Sequence, residues 1–543
     1  MRFLRSCSLA VMVLLAACSQ TNSPSGSAVG PDAAERAASG HLRRQIDSAP
    51  RTLDPSLATD VPTQRLLDDL FEGLTRIDGA GNVAPGVAAS WDRSADGLTW
   101  TFHLRGDAHW SNGDPLTAQD FAYGWRRTVD PATASEYAQA FAPLRNGQDV
   151  AAGRKPVAAL GLQVVDAHTL RVELGSPTPF FLYLLTNSYF SPLHEPTIRA
   201  RGTDWTRPGN LVSNGPYVLK DLVINGAVTL AKNDRYWDAG HVRIDTVTFY
   251  PLSDRSAQTA RFLAGDIDVT DGFNIDDIDW LRRDLGAQVR LAPYFGIVML
   301  GMHVETPPYD RKAVRQALSM AVDREILVDK LLKGLFLPAY GFVPPYEGYS
   351  PALPEWASWS AERRHARARE LLAVAGYDAK HPLQVELAHM ITSPDSRRLL
   401  EAIAAMWRMN LGVKVTMNMS EWRVFIQDRR IGKHGLFWHA WIGDYLDPYT
   451  FLSLFSKEDG NNHPRYASPR FESLLGEAVS TGDDARRMSI FRQAEALLDE
   501  DAPSIPIYYY QSRHLVRPYV GGWLGNVMDR NPSRNLWLGA GED

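Results

Sequence analysis

Asp444 stands between Gly443 and Tyr445, in a stretch that also holds Trp422, Phe425, Phe437, Trp438, Trp441 and Tyr449. A carboxylate enclosed by aromatic rings loses its water, which is unfavourable unless a cation or several hydrogen-bond donors meet it. Two chemistries fit: an internal ion pair with an arginine, or a site that waits for a ligand ammonium. The rings supply broad apolar contact with a polar edge. That suits a pocket for varied side chains, and equally the packing of a core or domain interface.

Patterns for bond-making chemistry are missing. The sequence has no Gly-x-Ser-x-Gly elbow and no Gly-x-x-x-x-Gly-Lys phosphate loop. His194-Glu195 begins like a zinc-protease helix, but Pro196 follows, which breaks a helix, and no second His comes in register. Asp266, Asp268 and Asp271-Gly272 approach a calcium loop, yet the Gly falls one place late and no Glu closes it; a strand edge and turn is expected. His434 and His439 lie out of register for one helix face, and no pair of acids sits in a glycosidase framework. The sequence therefore predicts no catalytic residue, no metal and no cofactor. An envelope hydrolase is the alternative from the enzyme class.

The elements that must position Asp444 belong to a large chain. Its 543 residues correspond to about three to four domains. With 45% hydrophobic and 22% charged residues, wholesale disorder is excluded. A net charge of −6 provides no cationic field for nucleic acid. Two Cys allow neither a disulfide framework nor a zinc ribbon.

At the N-terminus, Arg2 and Arg5 precede an apolar run from Leu9 to Ala17 that is too short to span a bilayer, so residues 1–17 read as an export signal. The signal ends in Leu15-Ala16-Ala17-Cys18, which resembles a bacterial lipobox and makes Cys18 the lipid-bearing first mature residue. Cys7 leaves with the signal, the mature charge becomes −8, and no free thiol enters an oxidising periplasm. Residues 18–40, Ser/Gly/Pro-rich and then Ala-rich, have no hydrophobic period and are expected to be a flexible tether. Ser19, by resemblance to enterobacterial sorting, favours the inner face of the outer membrane over the inner membrane.

From residue 41 the pattern is mixed α/β, without internal repeats. Trp100, Phe102 and Leu104 alternate with polar residues, as do Leu170, Val172 and Leu174, so both segments are expected as strands. Helical spacing appears at Ala368, Leu371, Leu372 and Ala375, which stops at Gly376; at Leu400, Ile403, Ala404 and Trp407; and at Ile490, Ala494, Leu497 and Leu498.

Segments along the whole body resemble the oligopeptide-binding proteins of ABC importers, extracellular solute-binding family 5. They are Leu53-Asp54-Pro55, Asp69-Leu70-Phe71-Glu72-Gly73-Leu74, Ala84-Pro85-Gly86-Val87-Ala88, Trp100-Thr101-Phe102-His103-Leu104-Arg105, Trp110-Ser111-Asn112-Gly113 and Asn214-Gly215-Pro216-Tyr217. The run Ala317-Leu318-Ser319-Met320-Ala321-Val322-Asp323-Arg324, then Gly443-Asp444-Tyr445 and Ile507-Tyr508-Tyr509-Tyr510, complete the series. The resemblance implies a periplasmic-binding-protein fold of type II, two hinge-linked lobes with an extra domain inserted in the first. The first lobe would comprise 41–71, 195–295 and 512–543, the extra domain 72–194, and the second lobe 296–511.

By the same resemblance, Asp444 pairs with the α-ammonium of a short peptide, and Tyr137, Trp422, Arg429, Trp441 and Tyr510 are pocket positions. The family's C-terminal carboxylate partners, an Arg six residues before the Asp and a His upstream, read here as Trp438 and Ser396. Arg397, Arg398, Lys330 or Arg429 could substitute, and a murein peptide, with its extra charged centre, becomes the alternative ligand. The expected partners are short peptides, an inner-membrane ABC permease with its ATPase subunits, and a membrane reached through the Cys18 lipid. The resemblance implies a monomer that binds no nucleic acid and closes without a cofactor.

Overall fold

A computed structural model describes residues 33–390 and 394–539. The export signal and Cys18 lie outside the described residues. Where the tether was expected to run on to residue 40, Ala33–Ser39 forms a short helix, fixed by a hydrogen bond from Arg36 to the Gly265 carbonyl at 2.7 Å. Among the described residues no helix is long and apolar enough to cross a membrane.

Three larger sheets organise the molecule. His41–Ile46, Thr246–Pro251, Val228–Lys232 and Tyr217–Leu222 make a four-stranded sheet in that order, its first pair parallel. A second four-stranded sheet, antiparallel throughout, contains Ala88–Arg93, Thr99–Leu104, Thr169–Glu173 and Leu162–Asp166. The alternation at Trp100, Phe102 and Leu104 becomes the Thr99–Leu104 strand, with these three buried, and Leu170 and Val172 are its buried cross-strand neighbours. The third sheet has six strands in the order Leu337–Pro338, Ser504–Leu515, Val289–Met302, Leu436–Ile442, Gln384–Met390 and Lys414–Ser420.

Two long strands at the centre of this sheet pair over most of their length. Val289–Met302 pairs antiparallel with Ser504–Leu515, from Val289 opposite Leu515 to Gly301 opposite Ser504. At one end Thr270 N–H donates to the Leu515 carbonyl at 3.0 Å and Val516 N–H to that of Gln288 at 2.9 Å. At the other end Val289–Met302 lies against Leu436–Ile442. The register shifts between Pro293 and Ile297, so the ladder is interrupted there.

The six-stranded sheet is buried on both faces. Val298, Leu300, Met302, Leu436 and Trp438 face one core, while Ile297, Met299 and Trp441 face the other. Helices Ala361–Val374, Pro394–Leu411 and Asp484–Asp501 cover these faces where the helical spacing placed them. Gly376 and Gly412 follow the first two with φ of +85° and +69°, as left-handed C-terminal residues do.

The family-like segments serve chiefly as structural ties. Asp54 accepts both terminal nitrogens of Arg127, at 2.9 and 2.6 Å, and so pins the helix Ala118–Val129. Glu72 and Asn214 exchange hydrogen bonds, N–H to Oδ1 at 3.2 Å and Nδ2 to carbonyl at 2.8 Å. Gly215 beside them has to be glycine, since a Cβ there would sit 2.7 Å from the Leu70 carbonyl oxygen.

His194 caps the helix Glu195–Arg201, whose Pro196 occupies the first turn. Proline starts this helix instead of breaking it, because the N–H it lacks would have had no partner in the first turn. The His194 ring bonds Asp114 at 2.9 Å and Thr197 at 2.7 Å. Asp268 accepts from Arg43 and Tyr519, each at 2.8 Å, and Asp271 pairs with Arg65. Among the described residues no group of three His, Cys, Asp or Glu could hold a metal.

Candidate ligand-binding site

Asp444 lies just past the end of the strand Leu436–Ile442, in the loop that turns into the helix Tyr449–Leu452. Two interactions hold this loop. Asp447 and Arg487, both buried, form a bidentate pair at 2.5 and 2.8 Å. Thr450 Oγ1 accepts from Asp444 N–H at 3.2 Å and Trp441 Nε1 at 3.4 Å.

The Asp444 carboxylate lines a cavity of about 530 Å³ between segments 136–189 and 441–479. Tyr137 stacks on Tyr189 at 4.5 Å on one wall, and Phe180 lies flat on Tyr445 at 4.0 Å where the two segments meet. Asn187 Nδ2 donates to the Asp444 carbonyl at 3.4 Å across the same junction. Three acids, Glu136, Asp444 and Asp459, line the cavity; no Lys, Arg or His is among its described lining residues.

Among the described residues no cation pairs with Asp444, so the internal ion pair considered from sequence is not formed. Burial, with Asp459 nearby, pushes the Asp444 carboxyl up to about 6. Burial raises Asp459 too, and desolvation with the neighbouring Asp444 drives the Tyr137 hydroxyl up to about 12. An acidic, aromatic, partly dehydrated cavity is built for a cation with apolar flanks.

The other expected site residues are dispersed. Trp441 and Tyr137 line this cavity with Asp444. Tyr510 lines a second cavity, edge-on to Tyr294 and Phe336 at 6.2 Å each. Trp422 opens the helix Trp422–Arg430 and is 53% exposed, away from both cavities. Trp438 is 5% exposed and packed in the second-lobe core, outside both cavities; it pairs with Leu300, on the opposite sheet face from Trp441. Arg429 is half-buried, 5.5 Å over the Phe425 ring, with its Nη1 reaching the Trp438 carbonyl at 3.4 Å. Its Nε is buried without a partner, and desolvation lowers the guanidinium to about 10. Among the described residues no carboxylate pairs with Arg429.

Of the possible substitutes, Arg398 is committed to Asp276 at 3.0 Å and Asp395 at 2.5 Å. His439 is buried beside the His463 ring at 5.6 Å, and burial holds it neutral. Sequence reasoning missed Asp459, Glu136, Phe180 and Tyr189. Asp459-Gly460-Asn461 has only the composition of a turn, and the helical turns at 449–455 fold it back towards Asp444.

Residues 82–463 match the model for bacterial extracellular solute-binding proteins, family 5. The chain belongs to this family. The periplasmic oligopeptide-binding protein OppA of Escherichia coli is 38% identical over 502 residues, 92% of each chain. The structure of the E. coli murein tripeptide-binding protein MppA superposes with a TM-score of 0.81 at 36% identity, over 92% of this chain and 98% of that one. Haemophilus influenzae OppA in complex with the peptide RPPGFSPFR gives a TM-score of 0.79 at 32% identity, over 92% and 99%. The two-lobed fold expected for this family 5 protein is the fold these neighbours share.

Proposed function

We propose that this family 5 protein captures short oligopeptides in the periplasm, encloses them between its lobes, and hands them to an inner-membrane ABC permease whose ATPase subunits supply the energy. The observation that carries this reading is Asp444, a desolvated carboxylate with no cation among the described residues, in a cavity lined by acids and aromatics. The α-ammonium is the cation every peptide brings, and the backbone next to it is the same whatever the sequence. Tyr137 and Trp441 flank the ammonium end, and side chains beyond it occupy room that water can adjust. The protein performs no chemistry of its own and acts as a monomer. It is held by a lipid on Cys18, at the outer membrane's inner face if Ser19 acts as the sorting residue. The moving parts are those read from the sequence: 41–71, 195–295 and 512–543 as one lobe with 72–194 attached, and 296–511 as the other.

One observation favours a second reading. Arg429 is a desolvated cation without a described carboxylate partner, as a ligand with an extra internal carboxylate would require. A murein peptide is such a ligand.

The test is calorimetry on the full-length protein in detergent, freed of endogenous ligand by unfolding and refolding. Removing one partner of a desolvated ion pair costs about 3–5 kcal/mol. An N-acetylated tripeptide should therefore bind about 10²- to 10⁴-fold more weakly than its free-amine twin. Equal binding of the two would sink the role of Asp444. Failure of both, with tight binding of murein tripeptide, would select the second reading.

A further inference from the structure

A second cavity, of about 250 Å³, is lined by Ile442, Tyr510 and Arg513. Trp441 lines one cavity and its neighbour Ile442 the other. Ile442 and Tyr510 meet over Gly296, where a Cβ would sit 3.3 Å from Ile442 Cγ1 and 2.8 Å from Tyr510 Cδ2. Three arginines give this second cavity its character. Arg65 is committed to Asp271 and to Asp529 at 2.8 Å, and Arg255 to Asp47 at 2.8 Å and Asp271 at 3.5 Å. His514 also holds Asp529, at 2.8 Å.

Arg513 is left over. Among the described residues no carboxylate pairs with it, and its Nη1 is buried without a hydrogen-bond partner. Its guanidinium lies 5.3 Å over the Phe336 ring and 6.0 Å over Phe273, which fixes the plane of the fork. Desolvation, with Arg255 nearby, lowers its pKa. A planar, pre-oriented, partly dehydrated guanidinium at the wall of a cavity is matched by a carboxylate, which accepts two parallel N–H bonds.

Resting on the peptide-binding reading, we propose that Arg513 receives the C-terminal carboxylate of a peptide whose ammonium sits on Asp444. Leu436–Ile442 and Ser504–Leu515 flank Val289–Met302 on either side, so the two anchors are two strand spacings apart laterally. Gly443 bonds Phe295 while Arg513 pairs with Leu291, an offset of about three residues along the strand, so the backbones at the two anchors are about 14 Å apart before side-chain reach is added. An extended peptide of about three to five residues covers that span. The ligand would lie across the strand ends, charged at both termini, and Trp438 would be free to serve the core because the carboxylate is bound elsewhere.

The experiment compares free-acid and C-amidated peptides of two to six residues by calorimetry, on the full-length protein in detergent and on Arg513→Gln and Arg513→Lys. In the wild type, amidation should weaken binding about 10- to 100-fold at one or more lengths between three and five. The penalty should fall below about threefold in Arg513→Gln and be intermediate in Arg513→Lys, which keeps the charge and loses the fork. An amidation penalty unchanged in either variant, or absent at every length in the wild type, overturns the inference. Those results leave the peptide reading standing, whereas failure of all free-acid peptides to bind the wild type overturns both. Should Arg513→Gln not fold, the wild-type and Arg513→Lys arms decide the matter alone.

Discussion

At Asp444, function and stability oppose each other. Burial holds the carboxyl at about 6, so the folded protein binds this proton more tightly than the unfolded chain, whose carboxyl titrates near about 4. Stability is therefore favoured below about pH 4, falls as pH rises from about 4 to 6, and stays lowered above that. Asp444→Asn should accordingly stabilise the ligand-free protein at pH 7.5 by about 3 kcal/mol and leave it nearly unchanged at pH 4, read by urea unfolding. Destabilisation at pH 7.5 would reveal a cation already paired with Asp444. The same proton governs affinity. Free-amine peptides should bind best between about pH 6 and 8, losing about tenfold per unit below about 6, because the site must be ionised to receive an ammonium, and weakening again above about 8, where the peptide's own α-ammonium loses its proton. Arg487 offers the converse case. Arg487→Met leaves the buried Asp447 without its bidentate partner, and a loss of about 3–5 kcal/mol is expected by urea unfolding, with weaker peptide binding as the Asp444 loop loosens.

The elements that set this geometry are the two long strands and the loop beyond Ile442. Gly296 lies in Val289–Met302 opposite Ile442, and a Cβ there would stand 3.1 Å from the Trp441 carbonyl oxygen and closer still to the Tyr510 ring. Gly296→Val should cost about 1–3 kcal/mol of stability and weaken peptide binding, since it presses on Trp441, which lines the Asp444 cavity, and on Tyr510, which lines the second. Unaltered affinity would mean that the ligand does not pass over this point. Family-like segments away from Asp444 and Tyr510 include ties that hold the fold together. Asp54 with Arg127, and Glu72 with Asn214, join elements distant in sequence, so their residue types are set by folding.

Across the whole molecule, the Asp444 cavity is walled by 136–189 on one side and 441–479 on the other, and the proposed closure brings both walls onto the ligand. Small-angle scattering should show the radius of gyration fall when free-amine peptide is added, and no change with the acetylated peptide or with Asp444→Asn. At a peptide concentration of about 100 Kd, binding should add about 2.7 kcal/mol to stability, visible as a raised Tm. A rise in Tm without compaction would mean binding to an open cleft.

The sequence alone determined the mixed α/β class, the strands around Trp100 and Leu170, the three amphipathic helices, and the carboxylate among aromatics. Each is a local matter: period 2 or 3.6 can be read within a window, and a desolvated acid follows from its immediate neighbours. Tertiary structure decided what meets that acid. Period 2 places Trp438 and Trp441 on opposite faces of one strand, but only the packed sheet shows that the Trp438 face is closed by Leu300 and the second core while Trp441 reaches the cavity. Asp459 comes to Asp444 through a turn and Tyr189 from a segment distant in sequence, and Arg513 has no carboxylate partner among the described residues, the acids of its cavity being held by Arg65, Arg255 and His514. Which charge keeps a partner depends on distances across the fold, and a linear sequence does not contain them.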